Sequence, residues 1–163
     1  MFNAAEKVIN SLNYKFGPTH IEFKLTSKGP KLIEFNPRAG GPVPYLIQTN
    51  SSYPIINNII KSYLGLSIDE EVNFEKVSAF FSFQIGKKEK VQITSINSST
   101  DFLSWKNINE FFLFRKVGDI VNPILGTSQM IGFTYISVEN FEECIKLHRD
   151  IITTLNIKYE PVL

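Results

Sequence analysis

Cysteine is almost missing from this chain. Cys144 is the single one in 163 residues, so no disulfide can close within the chain and no cysteine-rich zinc module can be built. That usage fits a reducing compartment. An excess of either charge is missing too: 17 Lys and Arg stand against 16 Asp and Glu, a formal net charge of +1. No bulk attraction to nucleic acid or to an anionic membrane follows from such a balance. No apolar run approaches the roughly 18 residues that a membrane-spanning helix needs. The opening MFNAAEKVIN lacks the long apolar stretch of a secretory signal. A cytoplasmic protein with no nucleic-acid and no membrane partner is expected. Arginine is scarce as well, with only Arg38, Arg115 and Arg149 among the 17 basic residues. Where lysine is the default cation, an arginine is a candidate for a planar, two-pronged grip on an anion.

What the chain does have is ring surface and enough length to bury it. Aromatic residues make up 13% of the sequence, 14 of them Phe, within a hydrophobic share of 43%. Disordered segments are poor in such residues. The length suits one generous domain or two small ones.

Apolar spacing predicts a short helix over Ala4–Leu12 and a turn over Asn13–Pro18. Two alternating runs follow, THIEFKLT (19–26) and KLIEFN (31–36), separated by SKGP, which is a hairpin signal. Residues 38–45, RAGGPVPY, carry two glycines and two prolines and read as an irregular loop. Tyr45–Leu64 reads as helical with a break near Ser51–Pro54, and the polar, acidic stretch Leu66–Phe74 as a boundary. Beyond it, strands are expected over 77–85 and 91–96, flanking a polar hairpin tip GKKEK, and again over 108–117 and 130–138. Thr100–Trp105 reads as a short helix and Gly118–Gly126 as a loop. Residues 140–156 form an amphipathic helix with Asn140 as its cap, and IKYEPV a last short strand. The fold class expected is α+β, in two unequal parts.

The first hairpin is where chemistry gathers. Residues two apart in a strand share a face, so His20, Glu22 and Lys24 lie together, and in the second strand so do Leu32, Glu34 and Asn36. A three-residue loop, Ser27–Gly29, sets Glu22 opposite Glu34 and His20 opposite Asn36. A loop of two or four residues would place the glutamates on opposite faces. Directly opposed carboxylates repel, by a few tenths of a kcal/mol or more. A cation between them removes that penalty. Two carboxylates and an amide oxygen are hard ligands, suited to Mg²⁺ or Mn²⁺ rather than zinc. Arg38 arrives two residues after Asn36. Carboxylates, Asn, Arg and a divalent ion together describe a phosphoryl-transfer site.

The stretch GPTHIEFKLTSKGPKLIEFNPRAGG (17–41), with its H-x-E strand followed by I-E-x-N-x-R and small residues, resembles the end of the ATP-grasp domain of carboxylate–amine ligases. The likeness is greatest to the L-amino-acid ligase type, and more distant to biotin carboxylase and the large subunit of carbamoyl phosphate synthetase. The Gly118-Asp119-Ile120-Val121-Asn122-Pro123 loop is similar to one in the family's C-terminal domain. The resemblance implies the terminal segment of an ATP-grasp domain over residues 1–66, a hairpin plus helices, then a small α/β domain over 72–163. It implies ATP and Mg²⁺ (or Mn²⁺) as cofactors, with Glu22, Glu34 and Asn36 as metal ligands and Glu34 bridging. Arg38 would hold the transferring phosphoryl group, and His20 would lie near the substrate edge of the nucleotide site. The implied reaction activates a carboxylic acid as its acyl phosphate for attack by an amine. The family's other lobe, with its lysines and glycine-rich loop, has no counterpart in this sequence. The chain therefore reads as the C-terminal portion of a longer ligase, inactive alone and open to homo-oligomer formation. A non-catalytic binding or assembly domain of the same shape is the alternative, as is a piece of a bicarbonate-activating enzyme.

Elsewhere the expectations are plainer. Cys144 and His148, four apart on one helix with Phe141, Ile145 and Ile152 beside them, read as core packing. The aromatic runs FFSF and FFLF read as filling between sheet and helix. Gly40 and Gly41 read as turn chemistry, and so does Asp119.

Overall fold

The computed structural model describes residues 1–68 and 71–162. Asp69 and Glu70, in the acidic stretch expected to form a boundary, and Leu163, the end of the expected second domain, lie outside the described residues. The chain divides into two units, Met1–Asn73 and Phe74–Leu163.

In the first unit, helix α1 (Phe2–Ser11) precedes a hairpin of β1 (His20–Thr26) and β2 (Gly29–Asn36), followed by α2 (Val43–Gln48) and α3 (Ile55–Tyr63). The helical break expected near Ser51–Pro54 is present. Ser51 Oγ donates to Ile47 O (2.8 Å) and accepts from Tyr53 N (3.3 Å), and Pro54 occupies the N-cap of α3. Ile21 and Phe23 of β1 meet Phe2, Ala5 and Ile9 of α1 along an open apolar groove of about 260 Å³. Gly17 ties the strand entry to the end of α3: its N–H donates to Ser62 O at 3.1 Å. Its φ is +89°, and a Cβ there would strike the Tyr63 ring, so glycine is required. On the exit side, Tyr63 Oη donates to Pro37 O at 3.2 Å. The last turn of α3 thus clamps both flanks of the hairpin.

The second unit builds two antiparallel sheets. One has the order β3–β7–β5, from β3 (Val77–Phe83), β7 (Gly132–Val138) and β5 (Ile108–Leu113); the other has β6–β4–β8, from β6 (Ile120–Val121), β4 (Val91–Ser95) and β8 (Lys158–Pro161). The strands flanking GKKEK therefore enter different sheets and are not a hairpin, because β3 finds its partner in β7 and β4 in β6 and β8. The loop expected over 118–126 contains the short strand β6.

Helix α4 (Phe141–Leu155) is capped as expected: Asn140 Oδ1 accepts from Glu143 N (2.9 Å), while Asn140 Nδ2 donates to Glu143 Oε1 (3.1 Å). Its buried residues are Cys144, Ile151 and Leu155. Phe141, Ile145 and Ile152 were expected beside Cys144 in the core, but they are 65%, 38% and 42% exposed. A one-residue step turns a helix by about 100°, so 144, 151 and 155 form one stripe and 141, 145 and 152 its flank. The aromatic runs also split, since neighbours in a strand alternate faces. Phe81, Phe83 and Phe111 join the core. Phe80 and Phe112 lie on the opposite face, where both contact the Phe133 ring, at centroid distances of 5.5 and 5.0 Å.

Burial is uneven between the units. All thirteen buried hydrophobic residues among those described, Phe83 through Leu155, belong to the second unit. In the first, Leu25, Leu32 and Ile33 of the hairpin are 70%, 48% and 63% exposed. Among the described residues no helix is long and apolar enough to cross a membrane.

Candidate functional site

The hairpin pairs His20 with Asn36, Ile21 with Phe35 and Glu22 with Glu34. This is the register the sequence requires if the two carboxylates are to meet, but the chain reaches it by another route. The turn is Ser27–Lys28, with Thr26 paired to Gly29, rather than a three-residue loop. Thr26 Oγ1 donates to Gly29 O (2.8 Å) and accepts from Lys28 N (3.2 Å), and Gly29 takes φ +94° to close the turn. Pairing from the tip would put the glutamates on opposite faces. A β-bulge between Glu22 and Phe23 corrects this: Phe23 pairs with Leu32 and Glu22 with Glu34, so Ile33 is the extra residue. The bulge also moves Leu32 to the face of Phe23, away from Glu34 and Asn36, where alternation alone had placed it. Bulges that re-aim a side chain are frequent beside functional sites.

The resulting face carries His20, Glu22, Glu34 and Asn36, and Arg38 follows across Pro37. The His20 and Glu22 side chains are 38% and 46% exposed, with His20 Nε2 3.8 Å from Glu22 Oε1. Among the described residues Glu34 makes no hydrogen bond or ion pair. Arg38 is exposed, and its Nη1 donates to the carbonyl of the adjacent Ala39, at 3.0 Å. Two polar atoms on this face are buried without a partner among the described residues: His20 Nδ1 and Asn36 Nδ2. Such atoms are uncommon in folded proteins, and each asks for an explanation.

Next to them, Gly40 lies over the His20 ring. A Cβ at Gly40 would sit 3.2 and 3.3 Å from ring atoms Cδ2 and Cγ, whereas at Gly41 it would meet nothing within 4 Å. Gly40 is thus a close-approach glycine rather than simple turn chemistry, and its O accepts from Val43 N (3.0 Å), leading into α2. Sequence reasoning missed this contact and the Tyr63 clamp, because neither partner has a local signal. Behind the site, the Tyr14 ring meets Phe35 edge-on at 5.5 Å, and burial, with Tyr63 nearby as a lesser cause, raises the Tyr14 phenol pKa.

Among the described residues no three His, Cys, Asp or Glu side chains converge to hold a metal ion. A cation here would rest on two opposed carboxylates, the Asn36 amide and oxygens brought by a ligand. That donor set fits Mg²⁺, which typically takes one or two protein carboxylates and fills its octahedron with water and phosphate oxygens.

The remaining candidates stay structural. Cys144 is 2% exposed, and burial raises its thiol pKa. The His148 ring stacks on Phe81 at 4.0 Å, and burial lowers its pKa. Asp119 Oδ2 accepts from Lys116 N (3.1 Å), closing a turn.

The fold is that of the C-terminal part of ATP-grasp enzymes. The L-amino acid ligase of Bacillus licheniformis matches 96% of the chain with a TM-score of 0.73 and 21% identity. The phosphoribosylglycinamide synthetase of Anaerococcus prevotii matches 94% with a TM-score of 0.70 and 17% identity. The N5-carboxyaminoimidazole ribonucleotide synthetase of Thermotoga maritima matches 97% with a TM-score of 0.58 and 14% identity. The chain spans 40%, 40% and 41% of these three structures. A 75-residue stretch is 39% identical to the uncharacterized protein y4rH of Sinorhizobium fredii (strain NBRC 101917 / NGR234), of which it covers 15%. No protein-family model matches the chain.

Proposed function

We propose that this chain is the C-terminal part of an ATP-dependent carboxylate–amine ligase and carries the metal-binding edge of its nucleotide site. The observation that carries the reading is the pairing of Glu22 with Glu34 in a chain of ATP-grasp fold, with Asn36 and Arg38 following in the same strand and its exit. Glu22, Glu34 and Asn36 hold Mg²⁺ or Mn²⁺. When bound, the ion neutralises charge on the phosphates of ATP and orients them. Arg38 supplies a fixed, planar cation to the phosphoryl group in transfer, and electrostatic contacts of this kind lower barriers by a few kcal/mol each. Gly40 keeps its backbone close over His20 at the edge of the site, and Tyr63 fixes the strand exit from which Arg38 projects.

The reaction is phosphorylation of a carboxylic acid to its acyl phosphate, which an amine then attacks with loss of phosphate. It takes place in the cytoplasm. The chain alone does not turn over, since a phosphoryl-transfer site also needs groups that hold the nucleotide base and close over the phosphates. Calorimetric titration with Mn²⁺, repeated on Glu34→Gln, tests the reading. Heat of binding that vanishes in the variant supports it. Binding of equal strength in both proteins would remove Glu34 from the site.

A further inference from the structure

His20 stands beside Glu22 in its own strand and opposite Asn36 in the next. Nε2 faces Glu22 Oε1 at 3.8 Å, one small side-chain rotation from hydrogen-bond length. Nδ1 is buried and has no partner. Directly across the strands stands Asn36, whose Nδ2 is also buried and has no partner. Opposed residues on one sheet face have Cβ atoms about 4.5–5.5 Å apart, close enough for side chains to meet. The two orphans are chemically complementary. A neutral imidazole has one N–H and one lone-pair nitrogen, and an amide nitrogen only donates. Gly40 packs close to one side of the ring, where a Cβ would crowd it.

We infer that His20 is the positioning residue of this site, a hub that fixes Glu22 through Nε2–H and Asn36 through Nδ1. If Nδ1 accepts from Asn36 Nδ2, the single imidazole proton must reside on Nε2, the nitrogen facing Glu22. The same bond settles the orientation of the Asn36 amide. Its nitrogen is turned to His20, and its Oδ1, the atom a hard cation takes, is left for a ligand. One ring thereby orients a carboxylate and an amide oxygen from two strands, without touching the ion itself. The inference deepens the proposed function and rests on it for the identity of the ion, but the two inferred hydrogen bonds involve residues of this chain alone.

Two measurements on the full 163-residue chain test it. The first is nitrogen NMR of the metal-free protein under mildly alkaline conditions. The expected spectrum has His20 protonated at Nε2, a pyridine-type Nδ1, and a hydrogen-bonded coupling from one Asn36 side-chain proton to Nδ1. An Nδ1–H tautomer overturns the inference. The second is Mn²⁺ titration of His20→Phe, which keeps a flat ring beneath Gly40 and removes both nitrogens. Loss of an outer partner of this kind weakens metal binding by about 10–100-fold. That loss in a variant that still folds is expected, and unchanged affinity overturns the inference. If His20→Phe does not fold, the tautomer decides. If the unmodified chain binds no Mn²⁺, the ion assignment fails and the tautomer still decides the role of His20.

Discussion

Replacing Glu34 by Gln changes stability and binding in opposite directions. In the metal-free chain Glu22 and Glu34 are directly opposed. Like charges in that position cost about 0.2–1 kcal/mol. Glu22 is 46% exposed, so solvent screening places the cost toward the lower half of that range, about 0.5 kcal/mol. Glutamine keeps the size and removes the charge. A protein of this length shifts its melting temperature by about 2–4 °C per kcal/mol, so Glu34→Gln should melt about 1–2 °C higher in a chelator. Added salt should shrink the difference, because the Debye length is only about 8 Å at physiological ionic strength. With Mn²⁺ the order reverses. A ligand at 100 times its dissociation constant stabilises the native state by about 2.7 kcal/mol, and only the unmodified chain gains it. Thermal melts of both proteins, with chelator and with Mn²⁺, read all four values. A variant less stable in chelator, or one that gains as much from Mn²⁺ as the parent, refutes the reasoning.

Three further outcomes follow from the second unit. Burial depresses the pKa of His148 below its ordinary 6.5. The unfolded chain therefore binds that proton first as pH falls, and the native state loses stability from about pH 6.5 downward until the folded pKa is passed. In His148→Phe, which keeps the stack on Phe81, acid denaturation between those limits should be shallower; an unchanged profile would contradict the assignment. Cys144 should resist iodoacetamide in the native protein and react in denaturant, as fits a buried thiol of raised pKa; native labelling at the unfolded rate would show the burial to be wrong. In Gly132→Ala the new Cβ would strike the carbonyl oxygen of Phe112 across the β5–β7 pair. A backbone atom cannot yield as a side chain can, so the loss should reach about 1–3 kcal/mol or more in chemical denaturation. A neutral result would mean the strands are not so closely paired.

The elements that local patterning controls were legible in the sequence. The Asn140 cap, the Ser51–Pro54 break and the alternating runs read over 19–26 and 31–36 all announce themselves within a few residues. The grouping of His20 with Glu22, and of Glu34 with Asn36, was legible for the same reason, since residues two apart in a strand share a face. What was not legible is set by distant partners. The separation of β3 and β4 into two sheets depends on β7 and β8, some fifty residues or more further along the chain. The bulge at Ile33 has no local mark, yet it corrects a turn that alone would have parted Glu22 from Glu34. The approach of Gly40 to His20 and the hold of Tyr63 on Pro37 join residues about twenty apart or more and appear only when the chain has folded. Nor did alternation show which aromatic rings would be core. It says that Phe80 and Phe81 oppose one another, but which of them faces α4 is decided by the sheet that receives them.

The most direct test of the account is paramagnetic relaxation by Mn²⁺ in the amide spectrum of the isotope-labelled chain. If Glu22, Glu34 and Asn36 form the cation site, signals of residues 20–23 and 34–38 broaden first, and Glu34→Gln abolishes the effect. Broadening centred anywhere else in the chain, or unchanged in Glu34→Gln, would contradict the central claim.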